Sequence, residues 1–207
     1  MKIAYFVGSL NRGGAEMLTL DICRSKKSAP FEMLLIYRNE GELSEAFLKT
    51  GVRMKRIKPG KNKLGYFIAV RRFLKQEGVC IIHSQTLTNA LIAAICTLFS
   101  GIKTVASFHG FYKSFLQRIQ SFIVMWRTHA LVFVSKCERD WYIKTSLFCP
   151  RSRCHVVYNG ISFDRLDICY STPDFLSSVY QSKPESCVWP WWVILLEDDP
   201  SFSFAKA

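Results

Sequence analysis

Apolar and polar positions along residues 1–158 follow two periods that take turns. Residues 2–9 form a nearly unbroken apolar run, and a helix is expected to open at Gly14, with Ala15, Leu18 and Ile22 on one face. Residues 31–38 are again a near-continuous apolar run, as expected of a strand buried on both faces. A short helix is predicted from Ser44 as N-cap to Gly51 just past its end. A third strand over 52–58 alternates with basic residues, and Leu64, Phe67, Ile68, Arg71 and Leu74 mark a helix that ends before Gly78. Strands over 79–84, 103–109, 129–135 and 155–158 follow, separated by an apolar helix over 89–99 and by a stripe of Phe115, Leu116, Ile119, Phe122, Ile123 and Trp126. That stripe is expected to be core, with a membrane-facing role as the alternative. Ser135 and Glu138 have capping-box spacing, and Asn159-Gly160 reads as a turn. Seven strands alternating with helices predict an α/β fold: one Rossmann-like parallel sheet covered on both faces.

In such sheets ligands bind beyond the carboxyl ends of the strands. The polar residues expected there are Asn11 to Gly14, Arg38-Asn39-Glu40, His83-Ser84-Gln85, His109-Gly110 and Ser135-Lys136. Two of the four histidines fall in this set.

The first of these loops carries adjacent glycines, Gly13-Gly14, directly before a helix. Paired glycines let a ligand approach the backbone, and the free N–H groups of a helix start favour an anion. A P-loop would need Lys and then Ser or Thr after its second glycine, and Gly14-Ala15 stand there instead. A dinucleotide fingerprint needs Gly-x-Gly-x-x-Gly and an acid on the ribose, and neither is present. A nucleotide-sugar loop and a plain strand-to-helix turn both remain.

Composition narrows the class. No stretch of about 18 apolar residues could span a membrane, and the amino terminus lacks the pattern of a signal peptide. Eight cysteines, among them Cys23, Cys80 and Cys96 inside apolar runs, suit reduced core thiols and a cytoplasmic location. Cys149, Cys154 and His155 lack a second ligand pair, so no metal site is expected and the segment reads as a basic loop. The net charge is +12, yet residues 1–164 carry 25 basic against 10 acidic residues. Such a surface suits phosphorylated substrates or anionic lipid at the inner face of a membrane. No nucleic-acid motif accompanies it, so nucleic acid is not an expected partner.

Five segments in order resemble the amino-terminal domain of family-four glycosyltransferases of GT-B fold. They are Gly13-Gly14-Ala15-Glu16, Ile81-Ile82-His83-Ser84, Ser107-Phe108-His109-Gly110, Val132-Phe133-Val134-Ser135-Lys136 and Val156-Val157-Tyr158-Asn159-Gly160-Ile161. The resemblance covers residues 1–164. It implies retaining, metal-independent transfer of a sugar from a nucleotide-sugar to a hydroxyl acceptor on a glycan or lipid, with the nucleotide-sugar as co-substrate and no cofactor. It further implies that Gly13 and Gly14 approach the donor diphosphate and that His109 sits beside the donor sugar and the acceptor hydroxyl. Asn11, His83, Ser84, Gly110 and Ser135 are the implied acceptor or cleft residues. A complete enzyme of this kind continues for a further domain of roughly 150 residues; here 43 residues follow Asp164, and they turn acidic and tryptophan-rich. Residues 165–207 are therefore expected to be an irregular or disordered tail, a remnant of the second domain or a replacement for it. A truncated or frameshifted gene, a split enzyme with its second half on a separate chain, and a stand-alone acceptor-binding module all fit. Whichever holds, the chain is expected to be inactive alone.

Overall fold

The structure is a computed structural model that describes residues 1–160; the expectations for the tail, 165–207, lie outside the described residues. The chain divides into the compact units Met1–Val156 and Val157–Ala207. Within the second, Val157 to Gly160 carry no regular structure.

The first unit contains β1 (Lys2–Phe6), α1 (Gly14–Arg24), β2 (Glu32–Tyr37), α2 (Ser44–Lys49), β3 (Arg53–Arg56), α3 (Lys63–Gln76), β4 (Ile81–Ser84), α4 (Leu87–Cys96), β5 (Lys103–Phe108), α5 (Phe115–Arg127), β6 (Ala130–Phe133), α6 (Lys136–Thr145) and β7 (Cys154–Val156). All seven strands form one parallel sheet in the order β3-β2-β1-β4-β5-β6-β7. The order reverses between β1 and β4. Because parallel crossovers are right-handed, α1 and α2 lie on one face and α3 to α6 on the other. The core agrees: Ala4, Phe6, Leu34, Ile36 and Ile82 of the central strands pack with Tyr66, Val70 and Leu74 of α3 and Ile92, Ala93 and Cys96 of α4. A second cluster joins Phe108 and Phe133 to Leu87, Val124, Met125 and Tyr142, with the Phe108 and Phe133 rings stacked at 5.1 Å. Fully burying one such side chain contributes about 2–3 kcal/mol, which is why the apolar runs alone specify the sheet.

Four departures from the sequence pattern matter. First, the strand ends are shorter than the apolar runs. The run 2–9 leaves the ladder after Phe6, although Ser9 still bridges Asn39. Second, Ser44 is the first helical residue of α2 rather than its cap, with its hydroxyl on Gly41 and Glu40. Third, Cys80 is exposed while Cys23 and Cys96 are buried, so only the latter two are core thiols. Fourth, the α5 stripe is not core. Phe115 is 77% exposed, Leu116 70% and Trp126 60%, and only Ser121, Val124 and Met125 of this helix are buried. The helix is aligned by a capping box, Ser114 with Gln117, that fixes its start independently of its apolar face.

The basic surface is also partly neutralised. Arg53 pairs with Glu77 at 2.7 Å and Arg56 with Glu40 at 3.2 Å. Arg71 caps the end of α4 by donating to the carbonyls of Cys96 and Leu98. Exposed pairs of this kind add little stability, but they remove charge from the β3–α3 surface.

Candidate functional site

The carboxyl ends of β1, β4, β5 and β6 lie side by side, so the loops after them share one edge of the sheet. The loop after β1 is held by its neighbour. Gly8 O accepts from Arg38 N and Asn39 N, Leu10 N donates to Asn39 O, and Leu43 N donates to Leu10 O. Gly41 makes the close approach possible: a Cβ there would collide with the backbone of Leu10 and Asn11. Gly41→Ala is therefore expected to shift the Asn11–Gly14 loop and to cost about 1–3 kcal/mol. Urea unfolding and the amide shifts of residues 11–14 would check it, and unmoved shifts would refute the coupling.

Gly13 is the N-cap of α1 in extended conformation, and its carbonyl accepts the first helical bond from Met17. A side chain at Gly13 would meet the carboxylate of Glu16, whereas Gly14 faces open space. An acid thus already lies over the start of the helix, where the free N–H groups and the dipole favour negative charge. A bound phosphate would have to displace it. Asn11 is exposed, with its side chain turned toward Gly41.

Beyond β4 and β5 the site becomes polar and enclosed. His83 is only 3% exposed, its ring 5.5 Å from that of Tyr5, and its Nε2 lies 2.7 Å from Ser107 Oγ. Burial, aided by the nearby His109, pushes its pKa down to about 3, so the ring is neutral. It is enclosed within the sheet rather than presented at its edge. His109, half-buried, stands at the end of β5 and donates from Nε2 to Gln85 Oε1 at 3.1 Å. Burial lowers its pKa as well, leaving a neutral imidazole with a lone pair on Nδ1.

Polar atoms without a protein partner gather at the β1/β4 reversal. Ser84 Oγ, Gln85 Nε2, Asn89 Oδ1 and Arg38 Nε are all buried and unpaired among the described residues. A Cβ on Gly8 would lie 3.0 Å from the Arg38 guanidinium and 3.8 Å from the Asn89 amide, which fixes these groups around one glycine. Native structures leave few such groups, and those they leave face water or a ligand.

The missed residue is Glu138. Ser135 caps α6 by accepting from Glu138 N, as its spacing predicts, but the Glu138 carboxylate does not close the box. It instead accepts from Gly110 N at 2.6 Å and Val134 N at 3.0 Å. Tyr142 completes the clamp, its hydroxyl donating to Gly110 O and accepting from Tyr112 N. Gly110 adopts φ 156°, a conformation that favours glycine. Sequence spacing offered the Glu138 signal but assigned it the wrong partner. Gln85 was placed at the edge by its position after β4 but its pairing with His109, 24 residues away, was not legible, and Tyr142 carried no signal because its partner is 32 residues away.

Among the described residues no three His, Cys, Asp or Glu side chains group as a metal site, and no helix is long and apolar enough to cross a membrane. The Cys149 and Cys154 thiols lie 3.5 Å apart and hydrogen-bond to each other.

The sequence profile of Glycosyltransferase Family 4 matches residues 12–165. Among solved structures, Anabaena HepE in complex with UDP-glucose superposes with a TM-score of 0.70 at 17% identity, over 87% of this chain and 49% of that one. A glycosyltransferase from Rickettsia africae gives 0.66 at 18% identity, over 86% and 48%. A UDP-N-acetylglucosamine 2-epimerase from Rickettsia bellii gives 0.56 at 17% identity, over 77% and 45%. These likenesses establish the GT-B half-fold, which transferases and an epimerase share. The chain spans about half the length of the structures it matches. No curated protein matches it.

Proposed function

The chain belongs to glycosyltransferase family 4, and on that premise we propose that it forms the acceptor side of an enzyme moving a sugar from a nucleotide-sugar to a hydroxyl, with retention and without a metal. The observation that carries the proposal is His109. It is a neutral imidazole at the sheet edge, fixed by Gln85, with its adjoining Gly110 clamped by Glu138 and Tyr142. A neutral ring with a free Nδ1 can accept a hydrogen bond from an acceptor hydroxyl as its oxygen turns nucleophilic. Gly14 and the N–H groups opening α1 would face the donor diphosphate once Glu16 swings aside, stabilising charge that develops on the leaving group. Asn11, Gly110 and Ser135 line the same edge, while His83 and Ser84 act from beneath it. A UDP-sugar is the donor class to try first, because the Anabaena relative is bound to one.

The 207 residues by themselves are proposed not to turn over, because they cover about half of each related structure. Octyl glucoside, a sugar hydroxyl on an alkyl chain, is the probe. Saturation-transfer NMR should detect its ring protons on the wild-type chain, and His109→Ala should weaken that signal at least threefold without changing the unfolding midpoint by more than a modest amount. Equal binding by the variant would remove His109 from the acceptor site. Steady transfer of labelled glucose from UDP-glucose by the chain alone would overturn the proposed inactivity.

A second reading, a membrane-surface module of cytoplasmic location at the inner leaflet, is favoured by the exposed apolar face of α5 among basic residues.

A further inference from the structure

Between α5 and α6 lies a cavity of about 220 Å³, lined mostly by apolar and aromatic side chains that include Phe115, Ile119, Phe122, Trp141 and Leu147. Its mouth is apolar too: Phe115, the first residue of capped α5, and Leu147, just past the end of α6, both stand out into solvent. Helix faces of this kind are normally covered.

Two observations indicate what covers it. The first is Ser121, which lines the cavity at 3% exposure with an Oγ that has no partner among the described residues. A buried hydroxyl wants an acceptor, and an apolar wall around it supplies none. The second is charge. Residues 111–156 hold eight basic residues against Glu138 and Asp140 alone. Glu138 is buried under Gly110 and Asp140 is paired with Arg139 at 2.8 Å, so the excess is positive. Arg118, at the cavity wall, donates to Thr145 O at 2.9 Å, and that bond leaves the guanidinium its charge.

A slot with mostly apolar walls, a buried hydroxyl without a partner at Ser121 and the Arg118 guanidinium at its wall matches an acyl chain ending in an ester and an anionic head. We propose that the α5–α6 groove binds the acyl chain of an anionic lipid, its ester oxygen accepting from Ser121 and its head beside Arg118. The proposal rests on the membrane-surface reading above and gives that surface its ligand. The floor of the groove, Tyr112 and Tyr142, is hydrogen-bonded to the Gly110 loop.

The full chain should be titrated with dihexanoyl-phosphatidylglycerol below its micelle concentration, and separately with vesicles of mixed phosphatidylcholine and phosphatidylglycerol whose acyl chains are brominated. Wild type should bind both, and bromine should quench a fluorescence component that Trp141→Phe removes. Ile119→Glu should weaken both kinds of binding about tenfold. Ser121→Ala should weaken them severalfold while leaving the unfolding midpoint unchanged or raised, because it deletes a hydroxyl that lacks a partner. A purely structural serine would not separate the two readouts. Salt-sensitive vesicle binding that ignores Ile119→Glu and Ser121→Ala would overturn the groove and leave charge-driven membrane docking standing. Binding of the short-chain lipid without vesicle binding would keep the groove and remove the membrane surface. Failure to bind either, as when residues 161–207 or a second copy fill the groove, would overturn the proposal.

Discussion

Replacing Glu138 by alanine should destabilise the chain by roughly 2–5 kcal/mol, the range for uncovering buried donors in a polar network. The side chain is 2% exposed, and its two oxygens accept from Gly110 N and Val134 N. Alanine leaves both donors buried with no partner and opens a void beside Tyr142. The loss should be local first: amide exchange at Gly110 and the His109 ring shifts should change at denaturant concentrations where the sheet is intact. Glu138→Gln should recover about half the loss, because one amide oxygen can serve one donor while the amide nitrogen repels the other. Burial pushes the Glu138 carboxyl above the ordinary carboxylate range, and the bonds from Val134 and Gly110 only partly oppose that. The folded state therefore holds this proton more tightly than the unfolded chain does. The residue's contribution to stability falls as pH rises from its ordinary value of 4.5 through its folded pKa. Denaturant midpoints that are equal for wild type and Glu138→Ala would show that the clamp carries no stability.

The second large effect is acid sensitivity from His83. Its pKa falls from 6.5 in the unfolded chain to about 3 in the fold, by burial first and by His109 second. The unfolded chain thus binds a proton that the folded one refuses, and stability drops as pH falls from 6.5 toward 3. One pKa unit corresponds to about 1.4 kcal/mol, so lowering the pH from 7 to 4.5 should remove about 2–3 kcal/mol through this residue alone. His83→Gln keeps a hydrogen-bonding side chain opposite Ser107 and cannot titrate. Its urea stability should fall less steeply over the same range, by about that difference. Parallel slopes for the two proteins would mean that His83 charges without cost in the fold. Because Ser107 and Tyr5 both contact the ring, the variant's stability at pH 7 must be measured beside it.

The apolar runs identified every strand, because a parallel strand buried on both faces has to be apolar at nearly every position. They placed the ends within three residues. Val7 continues the apolar run, yet residues 7–9 leave the ladder and pair as a loop with the segment after β2. The α5 stripe failed in a more informative way. Period 3.6 reports that a helix has an apolar face but not what meets it, and here Phe115, Leu116 and Trp126 meet no part of the described chain closely enough to be buried.

At the candidate site, the sequence located the loops. Polar residues following apolar strands must lie at the carboxyl edge, which brought Gly13, Gly14, His109, Gly110 and Ser135 into view together. Position along the chain did not tell His83 from His109, since both sit at strand ends; only the family resemblance ranked His109 first. The sheet separates them: one ring is packed on Tyr5, and the other stands past the last ladder pair of its strand.

The sequence by itself determined the seven-stranded architecture, the polar edge beyond the strands and the family, because each depends on local periodicity or on residue types in linear order. Only the tertiary structure decided the rest. It assigned Glu138 to Gly110 instead of to its own helix cap, laid Glu16 over Gly13, and left four polar atoms unpaired at the β1/β4 reversal. It also turned a predicted core stripe outward beside a groove with a buried hydroxyl. These features rest on pairs brought together across separate elements or on the burial of whole faces, and neither packing partners nor desolvation is encoded at any one position of the chain.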